Sequence, residues 1–352
     1  MKSYFLQVKE VIQETPDTIT IQFWHPINEQ VKYKAGQFIT ITVPDKDKKK
    51  IKRSYSMCSS PSFDTAVAVS VKRVKDGIVS NYLNDHVKIG DFLEVVEPMG
   101  TFFFEPSETP TDRNVVLVGA GSGITPLMSI AKTALKSEPN TKVFLLYGNK
   151  DEENIIFNKQ LRQLCDTYPE RFEIVHVLSK ANDNWLGLKG RISQASATMV
   201  FKDWGVDFQK DLFYMCGPEG LMQEVNKTLE LFNTPSENIH SEKFHATSIL
   251  DELNEAEASE LKIQIVKVIY DGETHDIEVA PHQTILEAAL EKDIDLPYSC
   301  QAGMCTACMG KCTSGKVLMD EEDGLTESEI KEGYILTCVA HPMSEGVVLE
   351  IE

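Results

Sequence analysis

The sequence predicts a three-part chain: an antiparallel β-barrel, an α/β domain on a parallel sheet, and a small α+β unit. Three observations predict it. Residues 1–107 alternate apolar and polar residues in short runs separated by turn residues. From 108 to 245 apolar strand runs alternate with helix-like segments. After an acidic, apolar-poor stretch at 246–260, residues 261–352 resume with a hairpin, a helix and a cysteine-rich loop. A length of 352 residues is enough for each part to bury a core of its own.

Within the first part the strands are "TITIQF", "QFITITV", "AVAVSVKRV" and "DFLEVVEP", bounded by "KAGQ", "PDKDKKK" and "VKIGD". Short strands with turn punctuation suit a small closed barrel. The second part opens on "NVVLVGAG", a run apolar enough for a strand covered on both faces. Helix "PLMSIAKTALKS", strand "KVFLLYGN", helix "NIIFNKQLRQLCDTY" and strand "RFEIVHVL" follow. Strand "DLFYMCG" and helix "EGLMQEVNKTLELF" come next, and the domain closes near "IHSEKF". The stretch 246–260 reads as a linker. Beyond it come the hairpin "LKIQIVKVIYDGETHDIEVA", the helix "TILEAALEK" and a last strand in "GVVLEIE".

The N-terminus has no basic start followed by an apolar run and does not read as a signal peptide. No window approaches the roughly 18 uninterrupted apolar residues of a membrane span. A cytoplasmic protein is expected, where clustered cysteines bind metal or carry redox chemistry more often than they pair. The net charge of −19 is concentrated late: residues 261–352 hold 18 acidic and 6 basic residues. That argues against nucleic acid or an anionic membrane as partner. It suits docking on a basic protein surface, or a surface that is simply well solvated.

The cysteine pattern is Cys300-x4-Cys305-x2-Cys308, followed in the distance by Cys338 in "YILTCVAHP". Plant-type ferredoxins hold a 2Fe-2S cluster with such spacing, three thiolates from one tight loop and the fourth from a distant strand. Gly303 and the small residues Ala302, Thr306 and Ala307 let backbone amides approach the sulfurs. Zinc is the rival, although structural zinc sites favour two short Cys-x-x-Cys pairs and only one is present. Cys312 is left over, and a small buried hydrophobe on the strand leaving the loop is its simplest role.

"VVLVGAGSGITP" sets Gly119, Gly121 and Gly123 where a buried strand turns into a helix, which allows phosphates to approach the helix N-terminus. The spacing departs from G-x-G-x-x-G, with Ile124 at the third glycine position. The next strand ends "YGNK", without the acid that would hold the ribose hydroxyls of NAD. Lys150 could instead meet a 2′-phosphate, which favours NADPH over NADH, with Asp151 and Glu152 pulling the other way. "YMCGPEGLM" is a strand-to-helix turn in which Cys216, Gly217 and Pro218 either lie near a nicotinamide ring or form an ordinary loop. In the barrel, "IKRSYSMCSSP" offers Arg53 for a phosphate, Tyr55 for a flat ring and Ser56 for a ring heteroatom. "VKRVKDGIVSNYL", from Val71 and Lys72 onward, sets Gly77 and Ser80 at a helix start suited to an anion. Taken alone, either barrel motif reads as an ordinary basic strand and a helix cap.

In this order the motifs closely resemble the ferredoxin–NADP reductase superfamily fused to a C-terminal plant-type ferredoxin. "RSYS" looks like its flavin motif, "GAGSGITP" its dinucleotide motif and "CGPEGLM" its nicotinamide-side motif. "PYSC…GMCTAC" and "GYILTCVAHP" are most similar to the reductase components of bacterial oxygenases, phenylacetyl-CoA epoxidase reductase and steroid- or ring-hydroxylase reductases among them. The resemblance implies a flavin barrel at 1–107, a NAD(P)-binding domain at 108–245 and, after the linker, a β-grasp ferredoxin domain at 261–352. It implies that Arg53, Tyr55, Ser56, Val71, Lys72, Gly77 and Ser80 hold FAD, with FMN the lesser alternative. Gly119, Gly121, Thr125, Lys150, Cys216, Gly217 and Pro218 would face NADPH or NADH, and Cys300, Cys305, Cys308 and Cys338 would bind the 2Fe-2S cluster. Electrons would run from NAD(P)H through the flavin to the cluster and on to an oxygenase, with no acid–base triad required. A non-oxygenase acceptor such as a hybrid-cluster protein is a second possibility. A zinc-stabilised interaction module without redox activity is a third.

Overall fold

A computed structural model describes residues 2–44, 50–75, 77–244, 263–281, 283–322 and 324–351. The expected linker at 246–260 lies outside the described residues. The chain divides into two compact units, Met1–Phe244 and His245–Glu352.

The first unit begins with six antiparallel strands: β1 (Ser3–Thr15), β2 (Thr18–Phe23), β3 (Phe38–Pro44), β4 (Lys50–Ser56), β5 (Val67–Lys72) and β6 (Phe92–Met99). Their order is β4-β3-β6-β1-β2-β5. A bridge from Met57, just past β4, to Val69 on β5 brings the two outer strands together and closes the barrel. Alternation sends Leu6, Ile21, Phe23, Ile39, Ile41 and Val69 inward. Helix α1 (Ile78–His86) seals one end through Val79 and Leu83.

The same unit continues into a wholly parallel six-stranded sheet. In chain order its elements are β7 (Val115–Ala120), α2 (Ile124–Ser137), β8 (Val143–Asn149), α3 (Asn158–Thr167), β9 (Phe172–Leu178), β10 (Leu188–Lys189), α4 (Gln194–Asp203), β11 (Leu212–Gly217), α5 (Glu219–Leu231) and β12 (Ile239–Lys243). The order β10-β9-β8-β7-β11-β12 reverses direction at β7, so a crevice opens beyond the C-terminal ends of β7 and β11. Separate apolar clusters cover the two faces of the sheet.

Two details differ from the sequence reading. The helix expected from residue 154 begins only at Asn158, because Ile155, Ile156 and Phe157 turn inward as a buried loop. Phe157 takes a left-handed φ of 61° to make that turn. Strand β10 and helix α4 were not anticipated. Helix α4 starts at a capping box whose third residue is Ser196, not the Glu or Gln that usually signals one.

The barrel meets this sheet through a polar seam. Ser129 Oγ donates to the Ser59 carbonyl at 2.6 Å, Ser60 and Thr133 share a 2.7 Å bond, and Lys132 reaches Asp64 at 3.1 Å. The segment joining them is tied down by buried Glu138, which accepts from the Ser107 amide at 2.7 Å and from Arg113 at 2.9 Å.

The second unit is a β-grasp fold. Strands β13 (Gln264–Tyr270), β14 (Glu273–Val279), β15 (Met309–Ser314), β17 (Tyr334–Leu336) and β19 (Val348–Ile351) form a sheet in the order β14-β13-β19-β15-β17. Strands β13 and β19 pair in parallel, and the other pairs are antiparallel. Helix α6 (Ile285–Glu291), opened by a Thr284–Glu287 capping box, buries Ile285, Leu286, Ala288 and Ala289 in the core. The short strands β16 (Val317–Met319) and β18 (Ala340–Pro342) pair with each other, and helix α7 (Glu327–Lys331) precedes β17. Cys312 does lie on β15, leaving the cysteine loop, but it is half-buried where full burial was expected.

Candidate functional site

The first candidate site forms at the switch point of the parallel sheet. Strand β7 passes through a tight 3-10 turn, Gly121–Gly123, into α2. Gly121 has a φ of 55° and open space where a side chain would stand, as a turn facing a ligand requires. Gly123 is constrained differently: a Cβ there would lie 2.1 Å from the Cys216 carbonyl oxygen, so only glycine lets the β7 turn seat against the end of β11. The sequence reading used Gly123 in the motif without placing it among the site residues. Gly119 lies beside Cys216 in the β7–β11 register. The Thr125 hydroxyl donates to the Ser122 carbonyl at 3.0 Å, and the Tyr147 hydroxyl to the Gly121 carbonyl at 2.9 Å. Both brace the turn.

Buried Glu242 on β12 was missed, and it joins two motifs that are far apart in sequence. It lies opposite Cys216 in the parallel β11–β12 register. Its carboxylate accepts from the Ser56 hydroxyl at 3.3 Å and lies 4.0 Å from the Cys216 thiol. Burial, followed by the nearby Glu242 charge, pushes the Cys216 thiol well up, so it stays protonated. The only signal in the sequence was an acid inside the short strand run "IHSEK", which reads equally well as a solvent-facing position.

Other predicted residues surround this point. Tyr55 is half-buried on β4, and burial raises its hydroxyl above the ordinary tyrosine range. Arg53, two residues earlier on the same face of the strand, is exposed, with Nη1 bonded to the Lys52 carbonyl at 2.8 Å. Val71 points into the barrel core, so any contact it makes to a ligand comes from its backbone. Lys72 lies 3.6 Å from Asp17. Gly77 caps α1, and the Ser80 hydroxyl accepts from the Val74 amide at 3.1 Å. Gly217 closes β11, and exposed Pro218 caps α5. Lys150 stands exposed at the C-terminal end of β8, 3.9 Å from Asp151. Its carbonyl accepts from the Lys180 amide at 2.7 Å.

The second candidate site lies within the β-grasp unit. Cys300, Cys305, Cys308 and Cys338 are all buried. The Cys305 thiol lies 3.3 Å from Cys300 Sγ. The neighbouring Cys305 and Cys338 thiols, with the Ala302 and Met304 amides, hold Cys300 far below the ordinary thiol range, and Cys300 and Cys308 push Cys338 up. The Ala302 amide donates to Cys300 Sγ at 3.4 Å. Gly303, with a φ of 70°, has no room for a Cβ, which would lie 2.8 Å from that of Glu321. Four buried cysteines, three in one tight loop and one in the turn at Thr337–Val339, with a backbone amide donating to Cys300, are a donor set whose chemistry fits an iron–sulfur cluster.

Comparison with known proteins agrees with this layout. Residues 5–104 match the oxidoreductase FAD-binding domain, 117–227 the oxidoreductase NAD-binding domain and 268–343 the 2Fe-2S iron-sulfur cluster binding domain. The fold and the matches define an oxidoreductase with FAD-, NAD- and 2Fe-2S-binding domains. The chain is 36% identical to the ferredoxin reductase component of 3-ketosteroid-9-alpha-monooxygenase from Rhodococcus rhodochrous, over 99% of this chain and 97% of that one. It is 32% identical to one of the subunits of 1,2-phenylacetyl-CoA epoxidase from Escherichia coli K12, over 99% of this chain and 97% of that one. Phthalate dioxygenase reductase has the same fold, at a TM-score of 0.66 and 24% identity over 99% of this chain and 98% of that one. The chain belongs to the family of flavin- and iron–sulfur-containing reductase components of oxygenases. Among the described residues no helix is long and apolar enough to cross a membrane.

Proposed function

We propose that this chain draws electrons from NADPH, and less readily from NADH, and delivers them to a cytoplasmic oxygenase acting on a coenzyme A thioester or a steroid-like ring. The bound groups supply hydride acceptance from the nicotinamide and onward relay of single electrons; the protein supplies binding, orientation and a controlled electrostatic setting. The observation that carries the reading is Glu242, which holds Ser56 of the flavin motif and Cys216 of the nicotinamide motif on one buried carboxylate. Ser56 is thereby aimed at the flavin ring edge and Tyr55 offers its face. Arg53, with Val71, Lys72, Gly77 and Ser80 at the α1 end, holds the pyrophosphate. Gly119, Gly121 and Thr125 shape the dinucleotide turn, while Gly217 and Pro218 set the opposite wall and keep the protonated Cys216 thiol against the nicotinamide. Lys150 takes the 2′-phosphate. Cys300, Cys305, Cys308 and Cys338 hold the cluster, and the Ala302 amide stabilises its added negative charge. We place the domain limits at 1–107, 108–245 and 261–352, joined by the stretch 246–260.

The test is the visible spectrum of purified protein under nitrogen, before and after stoichiometric NADPH or NADH. Overlapping flavin and iron–sulfur absorption, bleached faster by NADPH, is the expected result. A protein still colourless after flavin and iron–sulfur reconstitution, carrying zinc, would overturn the reading.

A further inference from the structure

Buried near the fourth cysteine is a charge pair that the electron path described above leaves unused. The turn carrying Cys338 runs directly into β18, where His341 is 3% exposed. Its Nε2 lies 2.9 Å from Asp320 Oδ2, and the Asp320 side chain is 6% exposed. Its Nδ1 lies 3.0 Å from the Gln283 carbonyl oxygen. Asp320 also holds the turn itself, its amide donating to the Val339 carbonyl at 2.9 Å.

The arrangement fixes a proton count. A backbone carbonyl can only accept, so Nδ1 must carry a proton. An ionised Asp320 can only accept too, so Nε2 must then carry a second. A neutral imidazole has one N–H, so the pair holds one proton more than a neutral imidazole beside a carboxylate. It exists as imidazolium with carboxylate or as imidazole with carboxylic acid, and is net neutral either way. The packed elements carry other titratable groups among the described residues. On α6, Glu287 is engaged by the Thr284 cap, and Glu291 is exposed at the far end. Glu321 and Glu322 follow Asp320.

We propose that His341 and Asp320 are charge-positioning residues for the electron-transfer centre: a buried, proton-holding pair that keeps the strand leaving Cys338 neutral and so sets the cluster's reduction potential. The proposal rests on the reading that the four cysteines hold the cluster. A charge in a poorly solvated interior acts strongly on a neighbouring centre, and cluster potentials follow local net charge. Removing one partner should therefore move the potential in a direction set by which charge is lost.

The experiment is a spectroelectrochemical titration of the cluster in the full-length holoprotein at pH 8 and again at pH 6. It compares the wild type with His341→Gln, Asp320→Asn and the double variant, after cluster absorption confirms loading in each. His341→Gln removes the cation and keeps the carboxylate, and should lower the potential. Asp320→Asn removes the anion and keeps the imidazole, and should raise the potential at pH 6. The double variant, neutral again, should match the wild type. Potentials unchanged in both single variants, or shifted in the same direction at pH 6, would overturn the proposal, because a pair serving packing alone has no sign. A wild-type protein without cluster absorption would overturn the cysteine reading instead. Should a variant load poorly, His341→Lys, which keeps a cation, decides the matter by restoring the wild-type potential or failing to.

Discussion

At the scale of single residues, the site depends on small clearances and one buried acid. Gly123 is the sharpest case: with a Cβ 2.1 Å from the Cys216 carbonyl, Gly123→Ala must push the β7 turn off the end of β11. Misplacing reacting partners by about 1 Å can cost on the order of a hundredfold in rate. Stopped-flow reduction of the bound flavin by NADPH should slow to that extent, with flavin still bound. Glu242→Gln keeps the shape and hydrogen bonding but removes the charge; hydride transfer should slow while the cluster spectrum is unchanged, and an unaltered rate would refute the carboxylate's role. His176 gives a pH signature. Burial first, then the Arg162 charge, depress it to about 4, so its protonation opposes folding. Its contribution is present above the unfolded value near 6.5 and is lost as pH falls toward 4, worth up to about 3 kcal/mol. The melting temperature should drop across that window, and the drop should shrink in His176→Gln. Glycines and cysteines were legible in the sequence because spacing encodes their geometry. Glu242 was not, since its importance comes from the β11–β12 register that sets it opposite Cys216.

At the scale of elements, sequence periodicity recovered most of the strands, read one helix too long and missed the shortest strands. Strand β2 was read at its observed limits because "TITIQF" alternates between two sharp turns. Helix α3 was read too long, because Ile155, Ile156 and Phe157 satisfy a helical pattern while the core draws them into a loop. Strands β16 and β18 escaped notice at three residues each, too short for any period to show. The connector between barrel and sheet offers a test at this scale. The Arg113–Glu138 pair is mostly buried, with side-chain exposures of 24% and 3%. Arg113→Ala leaves Glu138 with only its amide and hydroxyl donors, and should cost about 2–3 kcal/mol, below the full figure for a wholly buried pair. Chemical denaturation should show that loss. The double variant with Glu138→Gln should recover part of it, and additive losses would mean the two groups act independently.

At the scale of the whole molecule, the uneven charge makes a prediction about the partner. Residues 261–352 carry 18 acidic and 6 basic residues, whereas the two domains before the linker are close to neutral. Long-range charge chiefly affects encounter and is screened within about 10 Å at 0.1 M salt. At saturating NADPH, reduction of the flavin should therefore change little with salt. Transfer from the β-grasp domain to an acceptor with a basic face should slow on the order of tenfold between about 0.05 and 0.5 M salt. Stopped-flow measurement of the two steps in one preparation separates them: the bleaching of flavin absorption reports the first, and reoxidation of the cluster by the acceptor reports the second. If both steps respond equally, the acidity serves solvation alone, and the acceptor must recognise the domain by shape and apolar contact. If only the second step responds, charge reversal at Glu321 and Glu322, beside the cysteine loop at Gly303, should remove most of the response without altering the cluster's spectrum.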